Sequence, residues 1–251
     1  MDVLVAKGAA PREIFDIETE MDSVPAIYIK STVENTVLRG TVKRTMLIDL
    51  IKDISCSGRQ LAIGQITKIG ESEVGTEGTA VFRDGKIVGW LDPMETRGYL
   101  FATGKVKSSI INVPVENGVI AVEIIRSKGK VDVEFENGEL SKLIIEVRFE
   151  ANMGEYDGKG KLDIQNSLHK LEGLLSEEVK KEIKIALNKT QKDCASDIFG
   201  FGMQIHKYHS QYWKEAEDKW NDIFSKLPVD INVNAKIRRT GVIKNPIMKG
   251  G

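Results

Sequence analysis

The sequence predicts an α+β protein, built from antiparallel sheets with helices packed on one face and divided into more than one domain. Three observations carry this. Apolar residues alternate in stretches around Asp84-Gly85 and Asn137-Gly138, dipeptides that accept the positive φ of tight hairpin turns. Residues 168–187 and 205–224 instead space their apolar side chains three and four apart, as a helix with one buried face does. At Pro228 the period becomes two. Val229, Ile231, Val233, Ala235 and Ile237 then face one way and Asp230, Asn232, Asn234, Lys236 and Arg238 the other, so a half-buried strand follows the last helix.

A chain of 251 residues, 41% of them hydrophobic, allows one large or two to three small domains with real cores. Lys and Arg total 36 against 37 Asp and Glu, so no overall field draws the protein to nucleic acid or to an acidic membrane. Cys56 and Cys194 have no partner at metal-ligand or redox spacing. They read as small buried apolar residues, with a disulfide between them left open. No apolar run reaches the roughly 18 residues of a membrane-spanning helix, and Met1–Gly8 lacks the basic start and apolar core of a signal peptide.

In chain order, Val3-Leu4-Val5 reads as a short buried strand. Helices are expected over Arg12–Glu20, from Ser23 through Val33 with Ser23 as cap and Pro25 in the first turn, and over Thr41–Ser55, ended by Gly58. This first region, 1–58, looks like the remainder of a helical domain. A middle region, 59–114, opens with a strand through Leu61, Ile63, Ile66 and Ile69 and continues with a hairpin over 75–91. Asp92 then caps a short helix from Pro93 with Glu95 in its first turn. The last region, 115–251, begins with a meander of three strands, Val119–Ile125, Lys130–Glu136 and Leu140–Ala151, turning at Ser127-Lys128-Gly129 and at Asn137-Gly138. A long apolar stripe follows at Leu168, Leu171, Leu175, Val179, Ile183 and Leu187, with Ser176 placed to cap a helix entering Glu177-Glu178. Gly200 and Gly202 interrupt it before a helix carrying Trp213 and Trp220, and the strand Val229–Arg239 joins the sheet.

No motif demands catalysis or a cofactor. His206 and His209 share a helix face, but no third ligand or H-E-x-x-H accompanies them, so no metal site is assigned. F-G-F-G at 199–202 matches neither phosphate-loop pattern and reads as a helix break or close packing. No G-x-S-x-G elbow occurs, His169 has no nucleophile in its context, and the carboxylate pairs of 71–77 and 215–218 read as solvated faces. Trp213 and Trp220, seven apart, offer an aromatic platform for a sugar or peptide, against core burial beside Ile205, Ile223 and Phe224. Glu95 and Arg97 of the E-T-R-G segment, and Arg238 and Arg239 at the end of the last strand, are the candidate partner contacts. An internal ion pair competes for the first pair and a solvated strand end for the second.

Three phrases resemble one family. DVLVAKG stands near the start, GTAVFRDGKIVGWLDPMETRGYLFATGKVKSSIINVP fills the middle, and DIFGFG is followed by IH, the two tryptophans and V-x-V-x-A-x-I-R-R-T-G. Together they resemble the Ger(x)C family, the lipoprotein subunits of bacterial spore germinant receptors. The resemblance implies a non-enzymatic subunit without a cofactor, at the outer face of the spore inner membrane, beside the A-type and B-type membrane subunits. It also implies an N-terminal lipid on a cysteine that this sequence lacks, since Cys56 follows Asp53-Ile54-Ser55 where a lipid-attachment box needs an aliphatic residue. The fragment itself is expected to be soluble. On this reading, surfaces at Glu95–Gly98 and Arg238–Gly241 dock the membrane subunits. The competing reading is a binding module for a germinant or cortex saccharide, and the exposure of the Trp213 and Trp220 rings separates the two. A cell-wall hydrolase is the third class.

Overall fold

The computed structural model describes residues 1–17, 24–70, 72–158 and 164–240. Among these residues the strands form a five-stranded and a four-stranded sheet, with helices packed on each, in keeping with an α+β class. The first sheet has the order β1-β2-β4-β5, with β1 at Val5–Ala6, β2 at Ala62–Ile69, β4 at Thr79–Arg83 and β5 at Lys86–Leu91; β3, Glu73–Gly75, pairs with β2. Asp84 and Gly85 sit at φ 51° and 77° and close the β4–β5 hairpin, the conformation that Asp-Gly favours.

Helices α1 (Pro11–Phe15) and α2 (Pro25–Arg39) cover this sheet, burying Ile14, Ile17, Ile29 and Val33 with Ile66 and Val74. Ser23 and residues 18–20, expected to cap or extend these helices, lie outside the described residues, and Val24 starts α2 without a side-chain cap. Helix α3 is shorter than expected, Leu47–Ile54, because Val42 bridges to Gly78 and Thr45 accepts from the Val3 amide. Its apolar stripe faces outward. Leu47, Ile48, Ile51 and Ile54 are exposed, and the one buried residue of the helix is Asp53.

The second sheet runs β6-β7-β8-β9. Three features differ from expectation. Strand β6, Ser109–Val115, precedes the meander and is not anticipated; Pro114 hides it from a pattern reading, although an outer strand tolerates proline. The turn expected at 127–129 does not exist, since β7 runs unbroken from Gly118 to Glu136 against β8, Glu139–Gly158. Gly129 serves close approach there: a Cβ would lie 2.3 Å from the Phe101 carbonyl oxygen at the end of α4 (Pro93–Ala102). Of the two turns expected here, Asn137-Gly138, at φ 51° and 86°, is the one that forms.

The third difference is that β9, Val229–Thr240, pairs parallel with β8. A parallel neighbour requires a long crossover. Helices α5 (Ile164–Asn188), α6 (Phe201–Tyr208), α7 (Ser210–Ala216) and α8 (Trp220–Phe224) supply it, so the expected tryptophan helix is three short ones. Leu171, Leu175, Val179 and Ile183 of α5 share a core with Ile111, Val122, Ile145, Val147, Phe149 and Ile237, and Ala62, Val81 and Leu91 of the first sheet join it.

Ser176 does not cap a helix, because α5 passes through it. Its hydroxyl donates to the Glu172 carbonyl and accepts from the Ala235 amide at 3.1 Å, while the Glu172 carboxylate accepts from the Ile237 amide at 3.0 Å. Two side chains of α5 thus satisfy the outer edge of β9. Ser176→Ala leaves the buried Ala235 amide unpaired and should lower stability by about 1–2 kcal/mol in urea unfolding; an unchanged midpoint would contradict this.

Candidate functional site

The E-T-R-G segment opens α4, and each of its four residues has an internal task. Asp92 caps the helix, accepting from the Glu95 amide at 2.8 Å, while the Glu95 carboxylate accepts from the Asp92 amide at 2.8 Å. Thr96 is buried against the Thr79 hydroxyl of β4. Arg97 makes a bidentate pair with Glu182 of α5, its Nε donating at 2.8 Å, and donates to the Ile110 carbonyl of β6. Gly98 lets α4 touch α5, since a Cβ there would fall 2.2 Å from the Glu182 carbonyl oxygen. Arg97 is 18% and Glu182 6% exposed, so the guanidinium considered for a partner is engaged inside the chain. Burial lowers the hold of Arg97 on its proton, and the Glu182 carboxylate overcomes this, for a net rise. Helical spacing already places Glu182 on the buried stripe with Val179, Ile183 and Ala186, which is the signal that could have found this pair.

The D-I-F-G-F-G segment forms a second joint. Asp197 is fully buried, and its carboxylate accepts from the Gly200 amide at 2.8 Å, the Gly202 amide at 2.8 Å and the Trp220 indole at 3.0 Å. Burial drives its pKa up, and the amides and indole pull against that rise. The Asp197 carbonyl accepts from the Gln60 amide, Arg83 donates to the Cys194 carbonyl, and Ser196 to the Phe82 carbonyl. Residues 194–202 therefore tie the first sheet to the helices over the second. Gly200 stands at φ 91°, and a Cβ on Gly202 would meet the Trp220 nitrogen at 2.6 Å and the Gly58 oxygen at 2.7 Å. Close packing accounts for F-G-F-G. Gly58, expected to stop α3, packs on Gly202 instead.

Trp213 and Trp220 are 3% and 4% exposed, with ring centroids 5.7 Å apart edge to face. Trp220 continues to Phe224 and, through Phe201 and Phe199, to Tyr99 of α4. The rings form the interior of the crossover. His206 lies beside Trp213 and His209 stacks on Phe135. Cys194 is buried and Cys56 half-buried, and both are free thiols.

A third joint fixes α3. The ammonium of Lys43, 3% exposed, contacts the Asp53 carboxylate at 3.3 Å and the Ala62 carbonyl, and Arg59 holds the other Asp53 oxygen. Burial pushes the Lys43 pKa down to about 8, with Lys105 acting in the same direction. The last place is the exposed face of the second sheet, where Arg126 and Arg238 both donate to one Glu150 oxygen, at 2.6 and 2.7 Å. Arg239 pairs in register with Asn152 and Gly241 is outside the described residues; the Arg239 side chain is likewise outside them.

Comparison with known proteins follows this geometry. The family model described as spore germination B3/GerAC like, C-terminal, matches residues 77–241. Spore germination protein KC of Bacillus subtilis (strain 168) is 24% identical over 265 residues, which cover 97% of this chain and 65% of that protein. Spore germination protein YndF of the same organism is 25% identical over 247 residues, covering 96% of this chain and 60% of that protein. The chain therefore spans less than two thirds of the length of these relatives. The crystal structure of the GerBC protein superposes with a TM-score of 0.71 at 20% identity, over 93% of this chain and 67% of that one, and so shares the fold.

Two outcomes test the joints. Asp197→Asn sets a carboxamide N–H against a glycine amide or the Trp220 indole, and should cost roughly 2–4 kcal/mol in denaturant unfolding followed by tryptophan fluorescence. Lys43 releases its proton near pH 8 when folded but holds it to its ordinary value of 10.5 when unfolded. The unfolded chain binds more protons between those values, so stability should climb from pH 8 toward 10.5 by up to about 3 kcal/mol. A Lys43→Met variant should lack that climb in a pH series of melting curves.

Proposed function

This chain belongs to the spore germination B3/GerAC-like family, and from that premise we propose that it is a non-enzymatic subunit of a germinant receptor, acting as a rigid scaffold for the receptor's membrane subunits. The observation that carries the scaffold reading is the enclosure of Trp213 and Trp220, whose rings meet edge to face and pack on Phe224 and His206, leaving them 3% and 4% exposed. A platform for a germinant or saccharide needs an accessible ring face. The three polar joints support the same reading, because Arg97–Glu182 ties α4 to α5 across 85 residues, Asp197–Trp220 ties the start of the crossover to its last helix, and Lys43–Asp53–Arg59 fixes α3 against its flanking segments.

On this proposal the protein sits at the outer face of the spore inner membrane beside the A-type and B-type subunits. Docking falls to exposed charge. Arg238, 53% exposed, belongs to such a surface, and half-buried Glu95, whose carboxylate caps α4, stands at the start of that helix; the proposal adds Arg239 as the next residue of the strand. Arg97 acts from behind by holding α4 on α5.

Two measurements test the proposal. Spores lacking the gene should fail to germinate on nutrients while still responding to a nutrient-independent trigger; normal nutrient germination would sink the receptor reading. The purified chain should show no shift of melting temperature or tryptophan fluorescence across amino acids and sugars. A saturable shift would mean direct ligand binding, since a ligand that binds the folded state stabilises it.

A further inference from the structure

The uncovered face of the second sheet carries charge in rows. Arg126 of β7 stands opposite Glu150 of β8, which stands opposite Lys236 of β9. In this row one carboxylate serves two guanidiniums, Arg238 and Arg126, which hold the Glu150 pKa down to about 2. Lys236 leans over the sheet edge to Glu172. The next row is different. Lys128 stands directly opposite Arg148, and Arg148 opposite Asn234. Both cations are exposed, and among the described residues neither has an ion-pair partner.

Like charges directly opposite across two strands repel, with their Cβ atoms only about 5 Å apart. Glu146, two residues from Arg148, stands opposite Lys130, which binds Asp132 instead, and it makes no ion pair with either cation. The unbalanced pair lies in a chain whose net charge is -1, so it is a local arrangement rather than a consequence of basic composition. The row above supplies the chemistry by example: one oxygen of Glu150, on β8, is shared between cations of the two strands that flank it, β7 and β9.

We propose that the open sheet face at Lys128 and Arg148 docks an acidic segment of a partner polypeptide, one carboxylate of which bridges these two cations as Glu150 bridges Arg126 and Arg238. This rests on the scaffold reading and names the chemistry of its docking surface. An acidic side chain suits the site better than a lipid layer because the charge demand is discrete. The cations occupy two adjacent rows, Lys128 with Arg148 and Arg126 with Arg238, against the one carboxylate of Glu150, and in the row beyond Lys130 and Glu146 stand opposed.

The test uses a fluorescent hexaglutamate peptide and the folded 251-residue chain, with binding read by anisotropy at low and high salt. Binding should saturate, weaken with salt, and fall about tenfold or more in Lys128→Glu/Arg148→Glu. Lys128→Gln/Arg148→Gln should fall less, and melting curves should stay unchanged in both. Absence of peptide binding, or equal binding by the variants, overturns the inference. So does preferential capture by phosphatidylglycerol vesicles that the reversal abolishes, which would make the face lipid-binding. Copurification of the membrane subunits with the wild-type chain separates the two proposals: if it persists while peptide binding fails, only this inference falls, and if it fails while peptide binding holds, the receptor reading falls.

Discussion

The structure depends most on one buried carboxylate. Among the described residues no cation pairs with Asp197; two glycine amides and an indole satisfy it inside the protein. Such an arrangement is stable only if every donor holds its position, because a buried carboxylate deprived of its hydrogen bonds is costly. That requirement propagates. Gly200 must keep its positive φ, Gly202 must stay free of a side chain, and Trp220 must point inward. The backbone of the same segment is gripped by Gln60 from the first sheet. One buried side chain therefore sets the relation between the crossover helices and a sheet that lies far away in sequence.

The other two joints repeat the logic with full ion pairs. Glu182 brings α5 to the first turn of α4 through Arg97, and Asp53 brings α3 to Lys43 and Arg59. Buried pairs of this kind fix orientation more than they add stability, since desolvation offsets much of the attraction. On the proposed scaffold reading, orientation is the useful product. What remains exposed is an uncovered sheet face with charge in rows and the apolar stripe of α3.

Much of this was legible in the sequence. The hairpins at Asp84-Gly85 and Asn137-Gly138 and the α5 stripe follow from local chemistry, and so does the Asp92 cap of α4. The parallel pairing of β9 was not legible, because alternation reports which face is buried and not which neighbour is met. Gly129 was misread as a turn because a glycine needed for contact with α4 looks the same in sequence as one needed for positive φ. Asp197 and Glu182 were missed as keystones although Asp197 stands beside Ile198 and Phe199 and Glu182 falls on the buried stripe of α5 with Val179, Ile183 and Ala186, placements that mark a satisfied buried charge. The candidate contacts at Arg97 and Arg238 look alike in sequence, and only the fold separates them, with one locked against α5 and the other on the open sheet.

The most direct measurement of the Asp197 account is hydrogen exchange of the Trp220 indole N–H, followed by NMR alongside the backbone amides. If this carboxylate holds the crossover to the first sheet, the indole proton and the Gly200 and Gly202 amides should exchange only by global unfolding, with protection equal to that of the slowest β8 amides. Exchange of the indole by a faster, local opening, while β8 stays protected, would show that the joint yields by itself and that the two sheets are held together by other contacts.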